Sequence, residues 1–306
     1  MLHELFKWVQ ESLGANYDAG VESWAQQFRG SLNLWGLTEG THVLTLMVFA
    51  GTIWLVDMRM LGVAFRTMPF SRLNQKILPF TVISFAVMIV TGILLFLAKP
   101  MDYYHSIWFR LKMVFLLLAA ANIFWFHHHV QKTEAEWDDI REPVPASART
   151  LPTIMLVVSA IVFFAGGTSI IAATISKSLS PLNWLAFIVG IAMLAGTFWY
   201  HHKTQPEPPL PVKLSGAFSL MAWIIIIIFG RFIAYNWFDC GKPLPGFLNW
   251  AAECSTWPGG IVEAIEVDVT ETEISEPVEA TLPELPEDVA PDGAAGDETP
   301  ASEGGQ

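Results

Sequence analysis

Glu39 and His42 stand three residues apart at the head of an apolar run, and Asp57 and Arg59 close that run at its foot. Between them, from Val43 to Val56, no residue is charged. At 1.5 Å per residue such a run is a tilted membrane-crossing helix. Ionisable groups at that depth are costly, so they are functional candidates by default. An imidazole there can ligate a metal or haem iron, or serve as a hydrogen-bonded structural group. Glu39 lies one turn before His42 on the same helical face, where its carboxylate can take the second imidazole proton and orient the ring. Asp57 and Arg59 are expected to pair as a salt bridge at the far end.

The remaining chemistry-bearing residues sort by depth once the apolar runs alternate in direction. Glu39, His42, Tyr103, Tyr104, His105, Arg110, Lys112 and Arg231 fall at one end, side A. Asp57, Arg59, His127, His128, His129, His201 and His202 fall at the other, side B. A bilayer core of about 30 Å separates the two sets. Metal–nitrogen bonds are near 2 Å, so His42 and His127 cannot share one metal. On side A, His42 is the candidate haem-iron ligand, with His105 as a second ligand or none. Lys112 and Arg231 are long cations suited to haem propionates, and Glu39 is the second-sphere partner. On side B, one of His127/His128 and one of His201/His202 could hold a second haem b, with His128 and His201 as the candidates. Set against this, histidines beside Trp and Tyr at helix ends are common interfacial residues, and Lys112 and Arg231 can simply knit helices together. Copper is the alternative cofactor: eleven methionines supply soft ligands, although Met47, Met58, Met60 and Met68 form no compact motif and Met is a common gap-filler. A non-catalytic subunit packed against a larger membrane complex is the third reading. No Walker loop, dinucleotide fingerprint, HExxH or nucleophile elbow is present.

Six long apolar runs must position these residues: 33–56, 77–98, 107–128, 151–175, 182–202 and 214–237. In a chain of 306 residues that is 53% hydrophobic, with 13 Trp and 21 Phe, they define an all-α membrane protein, a six-span helical bundle. Residues 1–32 form an amphipathic interfacial segment, because Leu2, Leu5, Phe6, Val9 and Leu13 recur at helical spacing. Its start lacks the continuous apolar core of a signal peptide. The loop QKTEAEWDDIREPVPASART separates the third and fourth spans, and its prolines rule out a continuing helix. Residues 238–261 form a Cys-, Trp- and Pro-rich cap, in which Cys240 and Cys254 suggest a disulfide, with two free thiols as the alternative. The tail, 262–306, holds 14 Asp/Glu and no Lys or Arg, and its composition reads as disordered. Without it the chain has 15 acids against 17 bases, so the net charge of −12 says nothing of a nucleic-acid partner.

Six spans put both ends of the bundle on side A. Side B carries Arg59, Arg66, Arg72, Lys76, Lys132, Arg141, Arg149, Lys203 and Lys213, more bases than side A, so side B is expected to be cytoplasmic and both termini periplasmic. The segments Phe124–His128 and Phe198–His202 repeat at an offset of 74 residues, which suggests related third-plus-fourth and fifth-plus-sixth units. Chance recurrence of aromatic-rich helix ends is the alternative. Ala186/Gly190 and Ala192/Gly196 follow the small-xxx-small spacing of close helix packing.

His42 with GTIWLVDMRMLG, together with KILPFTVISFAVMIVTGILLFLAKPMDYY, WFRLKMVFLLLAAANIFWFHHHV and GRFIAY, resembles the DUF6644 family of bacterial membrane proteins. That family is distantly similar to copper-resistance D-type proteins and to HemJ-type protoporphyrinogen oxidases. The resemblance covers about residues 33–140 and 213–236. The fourth and fifth spans then look like an insertion into a four-span form, and the tail lies outside it. It implies a bacterial inner-membrane protein. The HemJ-type similarity carries over His42 and Lys112 as the matching histidine and lysine and implies haem b in the bundle, with a redox partner or larger membrane complex to exchange electrons.

Overall fold

A computed structural model describes residues 1–12, 24–138, 146–205, 207–235, 238, 240–241 and 244–257. The tail expected to be disordered lies outside the described residues. Among the described residues there is no strand, and six helices are long and apolar enough to cross a membrane.

Two short helices precede them, α1 (Leu2–Ser12) and α2 (Trp24–Gly30). The first span, α3, runs Leu32–Leu61, starts at a Ser31 cap and stops at Gly62, whose φ of 72° is the left-handed turn glycine tolerates. The second, α4 (Phe70–Ala98), begins seven residues before the apolar run. The reason is a distant cap: the Asp138 carboxylate accepts the backbone N–H groups of Phe70 and Ser71. Helix α5 (Pro100–His105) links to the third span, α6 (Ile107–Trp125). There the expectation of a loop after 128 needs correction. The chain continues through one wide helical turn, Phe126–Val130, and a tight turn into α7 (Glu134–Trp137). Trp137 holds this extension in place, its indole N–H donating to the Val130 carbonyl at 3.3 Å and its ring packing on Phe70 at 5.2 Å. The last three spans are α8 (Ala146–Ile175), α9 (Pro181–Thr204) and α10 (Leu210–Ala234), followed by α11 (Gly246–Ala251).

Packing divides the spans into two groups. Helices α3, α4, α6 and α10 form one bundle, in the order α4–α3–α10–α6. Its centre is Phe49, Met88, Ala119, Ala222, Trp223 and Ile226, with Phe49 edge-on to Trp223 at 4.6 Å. Helices α8 and α9 pack chiefly on each other. A Cβ built on Gly190 would lie 2.7 Å from the Phe163 Cα, and one on Gly166 would lie 2.8 Å from the Phe187 Cα, so the two backbones touch. Gly190 therefore does what its spacing suggested, whereas Gly196 faces open space. The pairings α6 with α10 and α8 with α9 also differ from the repeat units expected from the 74-residue offset.

The outer faces of the spans carry exposed Leu, Ile, Val and Phe throughout, among them Leu44, Phe80, Ile83, Leu117, Ile161 and Leu182. Such faces are stable only against lipid. At the side-A end, α1 packs on α5 through Phe6, which meets Phe96 and Tyr104 at 5.3 and 5.2 Å. Leu2, Leu5 and Trp8 stay exposed, which suits a helix lying at the interface.

Candidate functional site

His42 sits ten residues into α3, about 15 Å along it. Its Nδ1 is 3.0 Å from both the Met88 carbonyl and the Thr91 hydroxyl of α4. The carbonyl can only accept, so Nδ1 carries the proton and Nε2 the lone pair. Thr91 in turn donates to the Val87 carbonyl at 2.8 Å, leaving its oxygen free to accept. The ring edge lies against Gly92, where a Cβ would be 3.1 Å from Cε1. This is a tightly specified imidazole: one nitrogen is clamped by a neighbouring helix, and no hydrogen bond engages the other among the described residues. That is the arrangement a ligating histidine needs.

Lys112 of α6 lies within electrostatic range of His42. Its Nζ rests 3.5 Å from where a Gly230 Cβ would stand, so the absent side chain of Gly230 on α10 makes room for the ammonium. No hydrogen bond or ion pair engages that ammonium among the described residues. Glu39 is half-buried and near both His42 and Tyr103, but the hydrogen bond to the imidazole comes from α4, not from Glu39. Burial, with the Asp102 and Glu39 charges behind it, pushes the Tyr103 hydroxyl up to about 12. Arg231 takes another course: it is exposed and stacks over Tyr235 at 4.8 Å.

His105 belongs to different surroundings. It is fully buried under the cap, its Nδ1 donates to the Ala252 carbonyl at 3.0 Å, and Trp257 meets its ring edge-on at 5.1 Å. The cap around it is fastened by a Cys240–Cys254 disulfide with a Cα–Cα distance of 5.2 Å. Burial, seconded by Arg110 and His3, lowers the His105 pKa against the opposing pull of the Ala252 carbonyl and Glu253. Glu253 accepts from the Tyr104 hydroxyl, which holds its carboxylate below the usual range, and Arg110 lies 3.7 Å away. The neighbours of His42 sit on α4 at Met88 to Gly92, about 10 Å below the helix end. Those of His105 are Tyr104, Ala252 and Trp257. The structure thus does not bring the two rings onto one iron.

Side B is rearranged relative to the sequence reading. Asp57 and Arg59 form no pair, because residues two apart on a helix point to opposite sides. Asp57 is buried where α3 meets α10 at Gly216, near Ser219, and its Oδ2 has no hydrogen-bond partner among the described residues. Arg59 turns the other way and donates to the Met68 carbonyl at 2.7 Å. Asn122 of α6 exchanges two hydrogen bonds with Ser215 of α10, a pairing no local signal announces. His128 is exposed, donates to the Phe124 carbonyl and stacks on that ring at 4.0 Å. His201 is fully buried with Arg66, His202 and Lys213 as its charged or titratable neighbours. His128 and His201 therefore occupy unrelated surroundings, and the repeated Phe-aromatic-His pattern does not mark equivalent sites.

Among the described residues, no three His, Cys, Asp or Glu side chains gather as a metal site. The methionines are likewise dispersed: Met47 is exposed, Met60 belongs to a side-B cluster and Met88 to the core. No family model, curated protein or solved structure matches the chain.

The partners Met88, Thr91 and Gly92 were invisible in the sequence because they are ordinary residues of an apolar span. A Thr at helical depth on α4 was the available signal, but its register against His42 exists only after packing.

Proposed function

We propose that this protein is a b-type haem membrane protein of a bacterial inner membrane, with both ends of its bundle periplasmic, passing single electrons at its periplasm-facing half. The observation that carries this reading is the clamped His42: its Nδ1–H is committed to α4, and its Nε2 keeps a lone pair for iron. The distant HemJ-type resemblance read from the sequence points to the same histidine and adds Lys112. The residues fit a haem in two respects. An ammonium beside His42 with no ion-pair partner among the described residues calls for an anion, which haem propionates supply, and the His42 Nε2 offers a lone pair for the iron.

Haem would contribute a one-electron couple. The chain would do the rest: α4 fixes the imidazole orientation, Lys112 balances carboxylate charge, and the apolar layer of Phe49, Trp223 and Ile226 keeps water from the centre of the bundle. With His105 and Arg231 placed elsewhere, the reading rests on His42 as a single protein ligand.

The deciding experiment is a reduced-minus-oxidised spectrum of detergent-purified protein from haem-replete cells, with a pyridine haemochrome count. A b-type spectrum near one haem per chain, lost in His42→Ala and kept in His105→Ala, is expected. A flat spectrum overturns the proposal.

A further inference from the structure

A second buried polar site lies at the side-B end, where the α3–α4 connection, the end of α9 and the start of α10 converge. Lys213, His201 and Gln205 are each buried to within about 1% of full enclosure. The Lys213 ammonium donates to the Gln205 carbonyl, and an Arg66 guanidinium N–H donates to the Gln205 side-chain oxygen. These contacts neutralise the C-terminal end of α9. They leave several groups unsatisfied. Both ring nitrogens of His201, Nδ1 of His202 and Nε2 of Gln205 are buried without a hydrogen-bond partner among the described residues. An imidazole always has one N–H to donate, a side-chain amide has two, and an ammonium has three. Leaving such donors unmet in a buried site is costly.

The surplus is of one kind. The site offers donors and positive charge, with the Glu207 carboxylate as the one anion acting on Lys213 among its resolved electrostatic neighbours. Helix α10 begins beside it, and Pro209 at its cap offers no side-chain acceptor to the first N–H groups, so the positive end of a 25-residue helix adds to the field. A negatively charged group rich in acceptor oxygens meets the imidazole N–H, the amide N–H and the ammonium together. A metal cation could use only an imidazole lone pair and would stand against the Lys213 and Arg66 charges.

We propose that this junction binds a phosphate group, held by Lys213, His201 and the Gln205 amide, with Arg66 behind it. The site lies at a helix-end level, so a phospholipid headgroup and a free phosphate ion share the required chemistry. It is independent of His42 and of haem.

Native mass spectra of the full-length protein in mild detergent test the first source, and thermal shifts of delipidated protein with inorganic phosphate, against chloride of equal ionic strength, test the second. Wild type is compared with His201→Phe, Lys213→Met and Lys76→Gln, the last altering an exposed cation on the same side. A phospholipid adduct present in wild type and Lys76→Gln, and reduced at least about tenfold in both site variants, assigns a headgroup. A phosphate-dependent rise in melting temperature with the same variant pattern assigns the free ion. Absence of both, or adducts equal in all four proteins, overturns the proposal. Melting of each phosphate-free variant is followed alongside: an adduct lost from a variant that still melts cooperatively is loss of the anion site and not of the fold. His201→Phe carries the test if Lys213→Met, which also frees the Gln205 carbonyl, does not fold.

Discussion

The α8–α9 hairpin and the α3–α4–α6–α10 bundle are built from helices of similar length and hydropathy, yet they are held chiefly by different means. In the hairpin, glycines let backbones touch at Gly166–Phe187 and Gly190–Phe163, and one hydroxyl pair, Ser159 with Thr197 at 2.7 Å, adds a polar contact. In the bundle, apart from one close approach where Gly216 of α10 meets the Asp57 backbone of α3, side chains keep the helices apart: Phe49, Trp223 and Ile226 fill the centre, and His42–Thr91 and Asn122–Ser215 bridge pairs of helices. Lipid tails are as apolar as leucine, so helices associate through packing and polar bridges. Backbone contact leaves no room for chemistry. Side-chain spacing does, and the intramembrane histidine and lysine are found there.

The largest break in this contrast is expected from Trp223→Ala. It removes the ring that meets Phe49 and should cost about 3 kcal/mol or more of bundle stability, measured as a lowered melting temperature in detergent. Haem content, under the proposed function, should fall with it. Gly190→Val is next: its Cβ meets backbone at Phe163, so about 1–3 kcal/mol of strain should fall on the hairpin. Trypsin accessibility of the α8–α9 region should rise while the His42 site keeps its spectrum. Gly196→Val, facing open space, should leave both unchanged. Loss of the bundle spectrum in Gly190→Val would show that the two groups are not separately held.

Thr91→Val should cost about 0.5–1.5 kcal/mol, because His42 Nδ1 keeps the Met88 carbonyl. Under the proposed function its informative readout is spectroscopic, a broadened or shifted haem band from a less fixed ring. No change in band or stability would mean that the carbonyl alone orients the imidazole.

The smallest effect concerns the cap. His105 has a depressed pKa in the fold and an ordinary value of 6.5 when free. The unfolded cap thus takes up a proton first as the pH falls, so this contribution is fully present above about pH 6.5 and is lost progressively below it. Glu253, held below its ordinary 4.5, extends the loss to lower pH with the same sign. Protection factors over residues 246–257, corrected for the pH dependence of intrinsic amide exchange, should fall from pH 7 to pH 5, and His105→Phe should flatten that fall between pH 6.5 and 5. Protection that rises as the pH is lowered would reverse the assignment.

Much of this architecture was legible in the sequence because a bilayer constrains it so strongly. Runs such as 77–98 must be helices, since no other structure satisfies their backbone in lipid. Their number, their approximate limits and the depth of His42 and Lys112 follow from counting residues. The misses share one cause, which is dependence on partners remote in the chain. The start of α4 at Phe70 is set by Asp138, and the helical extension to Trp137 by its contact with Phe70. The clamp on His42 comes from a register between α3 and α4, and the burial of His201 from the meeting of α9, α10 and the Arg66 loop. Asp57 and Arg59 were misjudged more simply, since neighbours in sequence are not neighbours on a helix. The sequence by itself determined that six apolar helices carry ionisable groups at two depths, because burial in lipid acts on each segment alone. Only the tertiary structure decided which groups meet, because hydrogen bonds and close packing act across helices at distances no periodicity encodes.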